Sequence, residues 1–324
     1  MFKLLIAAAA ATLFLAPITR ADAQAWPNKP IRIAVTISAG STGDILARVI
    51  AEPLSKVLGY PVLVENRPGA GGNIAGAYVS KEPADGHTLM QATISSHGIN
   101  PSMYGAKMPY DALKDFSHII AVASVPNMVI ANPELGVSSI ADLIKLAKSK
   151  PGELAYSSGG NGTSHHLAAE LFNSLTDIKT IHIPYRGSPE AVTAVMRGDA
   201  AIMFPNVPNA EELVKAGKLK ALAVTSAKRI ASMPDVPTMI ELGYPTFEVI
   251  AWFGLVAPTG TPEPVLNRLN VEVQKILDNP ATKELLAKHG FEIMGGSPAE
   301  FRKFNEAEIE KWRKAVEASG AKIE

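Results

Sequence analysis

The ten residues Ser157-Ser158-Gly159-Gly160-Asn161-Gly162-Thr163-Ser164-His165-His166 gather hydroxyls, an amide and two imidazoles in one small polar run. They follow the apolar Leu154-Ala155-Tyr156 and precede Leu167-Ala168-Ala169-Glu170-Leu171-Phe172, whose apolar residues recur at helical spacing. The order reads as strand, loop, helix. A loop so placed offers free N–H groups and hydroxyls at a helix N-terminus, where the aligned peptide dipoles favour negative charge. A carboxylate or phosphate would sit well there. An ordinary helix start capped by Asn161, Thr163 or Ser164 accounts for the same residues.

Three other stretches repeat the pattern. Ile31-Arg32-Ile33-Ala34-Val35 leads through Ser38-Ala39-Gly40-Ser41-Thr42-Gly43-Asp44 into an apolar-periodic helix, with Ser41 and Asp44 at capping-box spacing. Thr88–Ala92 leads into Thr93-Ile94-Ser95-Ser96-His97-Gly98. Thr180–Pro184 leads into Tyr185-Arg186-Gly187-Ser188-Pro189-Glu190, where Pro189 suits a first helical turn. Four such loops at strand C-terminal ends match the rule for where open α/β sheets bind ligands.

Other chemistries fit less well. Gly69-Ala70-Gly71-Gly72-Asn73-Ile74 lacks the third glycine of a dinucleotide fingerprint, and Arg67-Pro68-Gly69 reads as a turn. His166 and Glu170 share a helical face, as metal ligands can, yet the His-Glu-x-x-His order is absent and a loop-ordering histidine is the expected role. No Gly-x-Ser-x-Gly elbow occurs, and nothing ties Ser95, Ser157 or Ser164 to a triad. Loops rich in donors and poor in bases suit holding an anion better than transforming it, so no catalytic residue, metal or cofactor is expected.

The elements that must position these loops alternate throughout. Strands are expected at 31–36, 61–65, 88–92, 153–157, 180–183, 199–204 and 219–225, and helices at 43–58, 72–80, 138–149, 164–175, 188–197, 262–278, 280–289 and 298–318. This predicts α/β architecture with mostly parallel sheets. Two long extended passages, 118–130 broken at Pro126 and 247–257, mark a middle domain inserted into a split outer one. Residues 1–25 read as an export signal: Lys3, an apolar Leu4–Ala16 too short to span a bilayer, and small-x-small sites ending at Ala23 and Ala25, with cleavage expected after Ala25. The 324 residues contain no cysteine, which excludes disulfides, thiolate chemistry and a lipid anchor on an N-terminal cysteine. Lys+Arg and Asp+Glu both number 31, so no electrostatic case exists for a nucleic acid or an anionic membrane.

Taken together, Trp26–Ile31, Gly40–Ala47, Val64–Ile74, His97–Ser102, Ser158–Leu171, His182–Ser188, Leu222–Arg229, Pro234–Thr238 and Trp252–Leu255 form a specific succession. Over nearly all of its expected mature length the chain resembles the extracytoplasmic solute receptors of tripartite tricarboxylate transporters, the Bug receptors. The resemblance implies a type II periplasmic-binding-protein fold, with two α/β lobes joined by two crossover strands and a ligand cleft between them. Lobe 1 would comprise 26–124 and 249–324, and lobe 2 would comprise 125–248. It implies a monomeric periplasmic protein that captures a small organic carboxylate by hinge closure and delivers it to membrane transporter subunits. A sensor kinase ectodomain is the alternative partner, and an exported hydrolase is a remoter alternative activity.

The expected ligand-binding residues are Ser38, Gly40, Ser41, Thr42, Ser95, His97, Ser157, Ser158, Asn161, Thr163, Ser164, Arg186, Gly187, Ser188 and Asn206, with Asp44 and His166 ordering the loops. Two departures from the family pattern stand out. Ser38-Ala39-Gly40-Ser41 replaces a Pro-Pro-Gly-Gly-like run, adding hydroxyls. Phe204-Pro205-Asn206 replaces Phe-Asp-Asn, which removes a carboxylate suited to a ligand ammonium. A mono- or dicarboxylate without an amino group, aliphatic or aromatic, is the expected ligand.

Overall fold

The computed structural model describes residues 26–319; the expected signal peptide lies outside them. In chain order the first lobe begins with β1 (Ile31–Val35), α1 (Thr42–Leu58), β2 (Val62–Asn66), α2 (Asn73–Val79), β3 (Thr88–Thr93), α3 (Asn100–Tyr104) and β4 (Phe116–Pro126). The second lobe is β5 (Met128–Ala131), α4 (Ile140–Ser149), β6 (Ala155–Ser158), α5 (Ser164–Thr176), β7 (Ile181–Pro184), α6 (Ser188–Arg197), β8 (Ile202–Met203), α7 (Glu211–Lys215) and β9 (Lys220–Val224). The chain then returns through β10 (Ile250–Pro258), α8 (Glu263–Asp278), α9 (Pro280–Lys288), β11 (Glu292–Gly295) and α10 (Pro298–Ser319).

Each lobe holds one sheet. The first runs β11-β4-β10-β3-β1-β2 and the second β7-β6-β8-β5-β9. Within each, three strands are parallel (β2, β1, β3; β7, β6, β8) because helices cross between them. A strand arriving from the other lobe then inserts antiparallel: β10 between β3 and β4, and β5 between β8 and β9. The sheets are therefore mixed, not mostly parallel as expected. Entry across a lobe junction reverses the strand direction, and strand-helix alternation does not register that.

Most elements follow their apolar periodicity. In α1 the buried Leu46, Ile50, Leu54 and Leu58 repeat every four residues against the sheet, and Gly59 in the left-handed region ends the helix. Three expectations change. The 93–98 segment is not an open loop but a π-helical turn, Ile94–Ile99, closed by reciprocal Thr93–Ser96 hydrogen bonds. The expected strand 199–204 shrinks to β8, since Asp199 still completes the end of α6 and Pro205 has no N–H. β11 and the short α7 are additional elements.

The C-terminal helix α10 closes the first lobe. Phe301 packs directly over Gly254 of β10, where any Cβ would meet its ring. Trp252 Nε1 and Trp312 Nε1 both donate 2.8 Å hydrogen bonds to the buried Glu308 Oε2, and Asn305 Nδ2 donates 2.7 Å to the His97 carbonyl.

Candidate ligand site between the lobes

A cavity of about 360 Å³ lies between the lobes. Thr36, Ile37 and Pro68–Gly71 form its wall on the first lobe; Gly159, Gly160, Thr163, Tyr185 and Arg186 form the wall on the second. The lobes touch on both sides of it. Thr42 Oγ1 donates to Asn209 Oδ1 at 2.5 Å, and Gly71 approaches the Asn161 carbonyl so closely that a Cβ would stand 2.8 Å from it.

The wall is built for anions. No aspartate or glutamate lines it, and Arg186 is exposed there with no ion pair among the described residues. The Thr36 hydroxyl is buried without a partner. Gly69, Ala70, Gly71 and Gly72 all have positive φ, and at Ala70 (φ 48°) this is a strained conformation for a residue with a Cβ. Gly72 N–H donates to the Gly69 carbonyl at 2.9 Å, which closes the segment as a tight turn against the cavity.

On the second lobe an internal scaffold holds the loop after β6. Gly159 N–H donates to His165 Nδ1 and Gly162 N–H to His166 Nδ1, each at 3.3 Å. Ser158 Oγ lies 2.6 Å from His182 Nε2 and accepts from Gly160 N–H. Thr163 caps α5 by accepting from His166 N–H and donates to the Gly160 carbonyl at 2.7 Å. The first-turn amides of α5 at Ser164 and His165 have no intrahelical partner, which leaves them as donors. Acceptor imidazoles must be neutral, and burial ensures it. His165 and His166 are held down at about 4, and His182 at about 3, where burial and the neighbouring His166 act together. His166 stacks on His182 at 4.3 Å, and Tyr156 stacks on His182 at 4.8 Å. Glu170, which shares a helical face with His166, accepts from Tyr156 Oη.

On the first lobe, Asp44 accepts from Gly40 N–H, Asn66 Nδ2 and Arg48, tying the loop after β1 to the start of α1. Burial opposes its ionisation, but these donors hold its carboxyl below the usual range. Ser41 is the N-cap residue without a side-chain cap bond; its hydroxyl pairs instead with Ser38 Oγ at 3.1 Å, so the capping box expected with Asp44 does not form.

The expected site residues thus divide. Thr163 and Arg186 line the cavity; Ser158 and Asn161 belong to the loop beside it. Ser38, Gly40, Ser41, Thr42 and Gly187 meet at the neighbouring lobe junction. Ser164 is buried in the first turn of α5, and Ser188 in that of α6, where its hydroxyl has no partner. The structure does not bring four others to the wall. Ser157 Oγ donates to the Ala191 carbonyl behind α6. Ser95 and His97 lie buried in the π-helical turn, where His97 packs against Tyr110 and Phe116. Asn206 bonds Asn127, between β4 and β5, and His165, and the Pro205 carbonyl accepts from Met128 N–H. Polar residues after a strand read as loop; here apolar flanks turn them inward.

Sequence reasoning missed Thr36, Ile37, Tyr185 and the Gly69–Gly71 wall. As a sequence the glycine cluster reads as a turn that lacks the dinucleotide fingerprint. Its legible signal was the density of residues able to take positive φ immediately after a strand.

Two mixed sheets with reciprocal strand insertion and an anion-suited cavity at their junction define a two-lobed solute receptor of the periplasmic-binding-protein type. The description "Tripartite tricarboxylate transporter family receptor" matches residues 46–321, and the chain belongs to that family. BugT of Bordetella pertussis is 36% identical over 302 residues, covering 93% of each chain. An R. palustris protein solved with adipate is 37% identical with a TM-score of 0.88, covering 91% of this chain and 98% of its own. MatC from Rhodopseudomonas palustris, solved with bound malate, is 29% identical with a TM-score of 0.86, covering 90% of this chain and 100% of its own.

Proposed function

We propose that this protein is exported to the periplasm, captures a small carboxylate without an amino group, and delivers it to tripartite tricarboxylate transporter subunits in the membrane. Residues 1–25 serve as the export signal, 26–124 with 249–324 form one lobe, and 125–248 form the other. The observation that carries the ligand class is the cavity wall itself: Arg186, hydroxyls and turned backbone, with no acidic side chain to meet an ammonium. Ile37 and Pro68 supply apolar surface for a short carbon chain. Adipate and malate in the related structures support the same class. Pro205 lies off the wall, so the argument against amino acids moves from that position to the lining as a whole.

The test is thermal stabilisation of the ligand-stripped protein by adipate, malate, aromatic dicarboxylates, glutamate and aspartate. A ligand that binds only the folded state raises the melting temperature in proportion to ln(1 + [L]/Kd). Shifts with carboxylates alone are expected. A shift confined to the amino acids refutes the ligand class.

A further inference from the structure

Asn209 lies outside the cavity wall yet joins the lobes. Its Oδ1 accepts from Thr42 Oγ1 at 2.5 Å, and its Nδ2 faces the Gly40 carbonyl at 3.4 Å. Both partners lie at or just before the N-terminus of α1, while Asn209 lies two residues before α7 in the opposite lobe. Beside this contact Gly187 abuts Ser38 so closely that a Cβ would collide with the Ser38 hydroxyl. Gly187 has φ 175°, an extended conformation open to any residue, so its lack of a side chain is needed for lobe apposition and not for its own backbone. Thr42 is buried by this apposition, and its hydroxyl has no other partner among the described residues.

We propose that Asn209 is a positioning residue for ligand capture, a latch that holds the loop after β1 against the second lobe and makes affinity depend on a bond the ligand never touches. This rests on the solute-receptor reading above. The latch acts on the equilibrium between apposed and separated lobes, so it sets how long a ligand stays enclosed. Gly187 supplies the clearance that lets the latch engage.

The chain has no cysteine, so spin labels placed through E52C on α1 and E212C on α7, both exposed positions, report lobe separation directly. The ligand-free parent is expected to populate a short distance. Asn209→Ala and Thr42→Val should each lower the short-to-long ratio roughly fivefold, as loss of one hydrogen bond implies, and the double variant should do no more than either. Gly187→Ala should lower the same ratio, since the Ser38 side chain must move to admit a Cβ. None should lose more in urea unfolding than its change in the short-to-long ratio accounts for, which separates a latch from a folding contact. With adipate or malate as probe, whichever gives the larger thermal shift, dissociation should accelerate about fivefold in Asn209→Ala. A parent lacking the short distance, or an Asn209→Ala variant indistinguishable from it, overturns the latch. Distances that change as expected while no carboxylate binds leave the latch standing and remove the carboxylate reading instead.

Discussion

At the scale of single residues, the loop after β6 depends on groups that never reach the cavity. His165 and His166 act as hydrogen-bond acceptors for loop amides, a role open only to the neutral imidazole. Both are held at about 4 by burial, whereas an unfolded histidine titrates near 6.5. The unfolded chain therefore takes up protons first. Stability is full above pH 6.5 and falls toward pH 4, by up to about 1.4 kcal/mol per pH unit for each group. Urea denaturation between pH 7.5 and 4.5 should show this slope, and His166→Gln should flatten it by about one proton; a pH-independent midpoint contradicts the account. Thr163 both caps α5 and lines the cavity. Thr163→Val should therefore cost about 1 kcal/mol in chemical denaturation as well as affinity, while Thr163→Ser keeps both.

At the scale of elements, α10 is the brace of the first lobe. Glu308 receives two indole N–H groups in a buried setting, so Glu308→Ala leaves both unpaired and should lower stability by about 2–4 kcal/mol, read as a reduced urea midpoint with altered tryptophan fluorescence. Asn305 ties the same helix to the π-helical turn, linking His118 Nε2 at 2.9 Å to the His97 carbonyl. That turn is where element-level reading failed. Thr93–Gly98 carries the composition of a ligand loop, but Ile94 and Ile99 bury its ends and Ser96 spends its hydroxyl on Thr93. On this lobe the cavity wall is lined instead by Gly69, Ala70 and Gly71.

At the scale of the whole molecule, the two lobes share one strand order, each completed by a strand from across the junction. A ligand bound between them touches both, so it should protect both at once. Hydrogen exchange with saturating ligand is expected to slow at the amides of Ala70, Gly71, Ser164 and His165 together. At a hundred times Kd the folded state should gain about 2.7 kcal/mol. Protection on one lobe only would place the ligand outside the cavity described here.

The α/β alternation, the extended passages that form β4–β5 and β10, the family, and the loops after β1, β6 and β7 were legible in the sequence. Periodicity, turn chemistry and a long succession of motifs are local in the chain and survive without coordinates. Only the tertiary structure decided the antiparallel insertions, the inward turn of Ser95 and His97, the wall made by Gly69–Gly71, and the pairing of Thr42 with Asn209 across 167 residues. Each of these depends on which segments meet in space. A polar side chain has the same composition whether it faces a cavity or satisfies a buried partner, and packing alone chooses between the two.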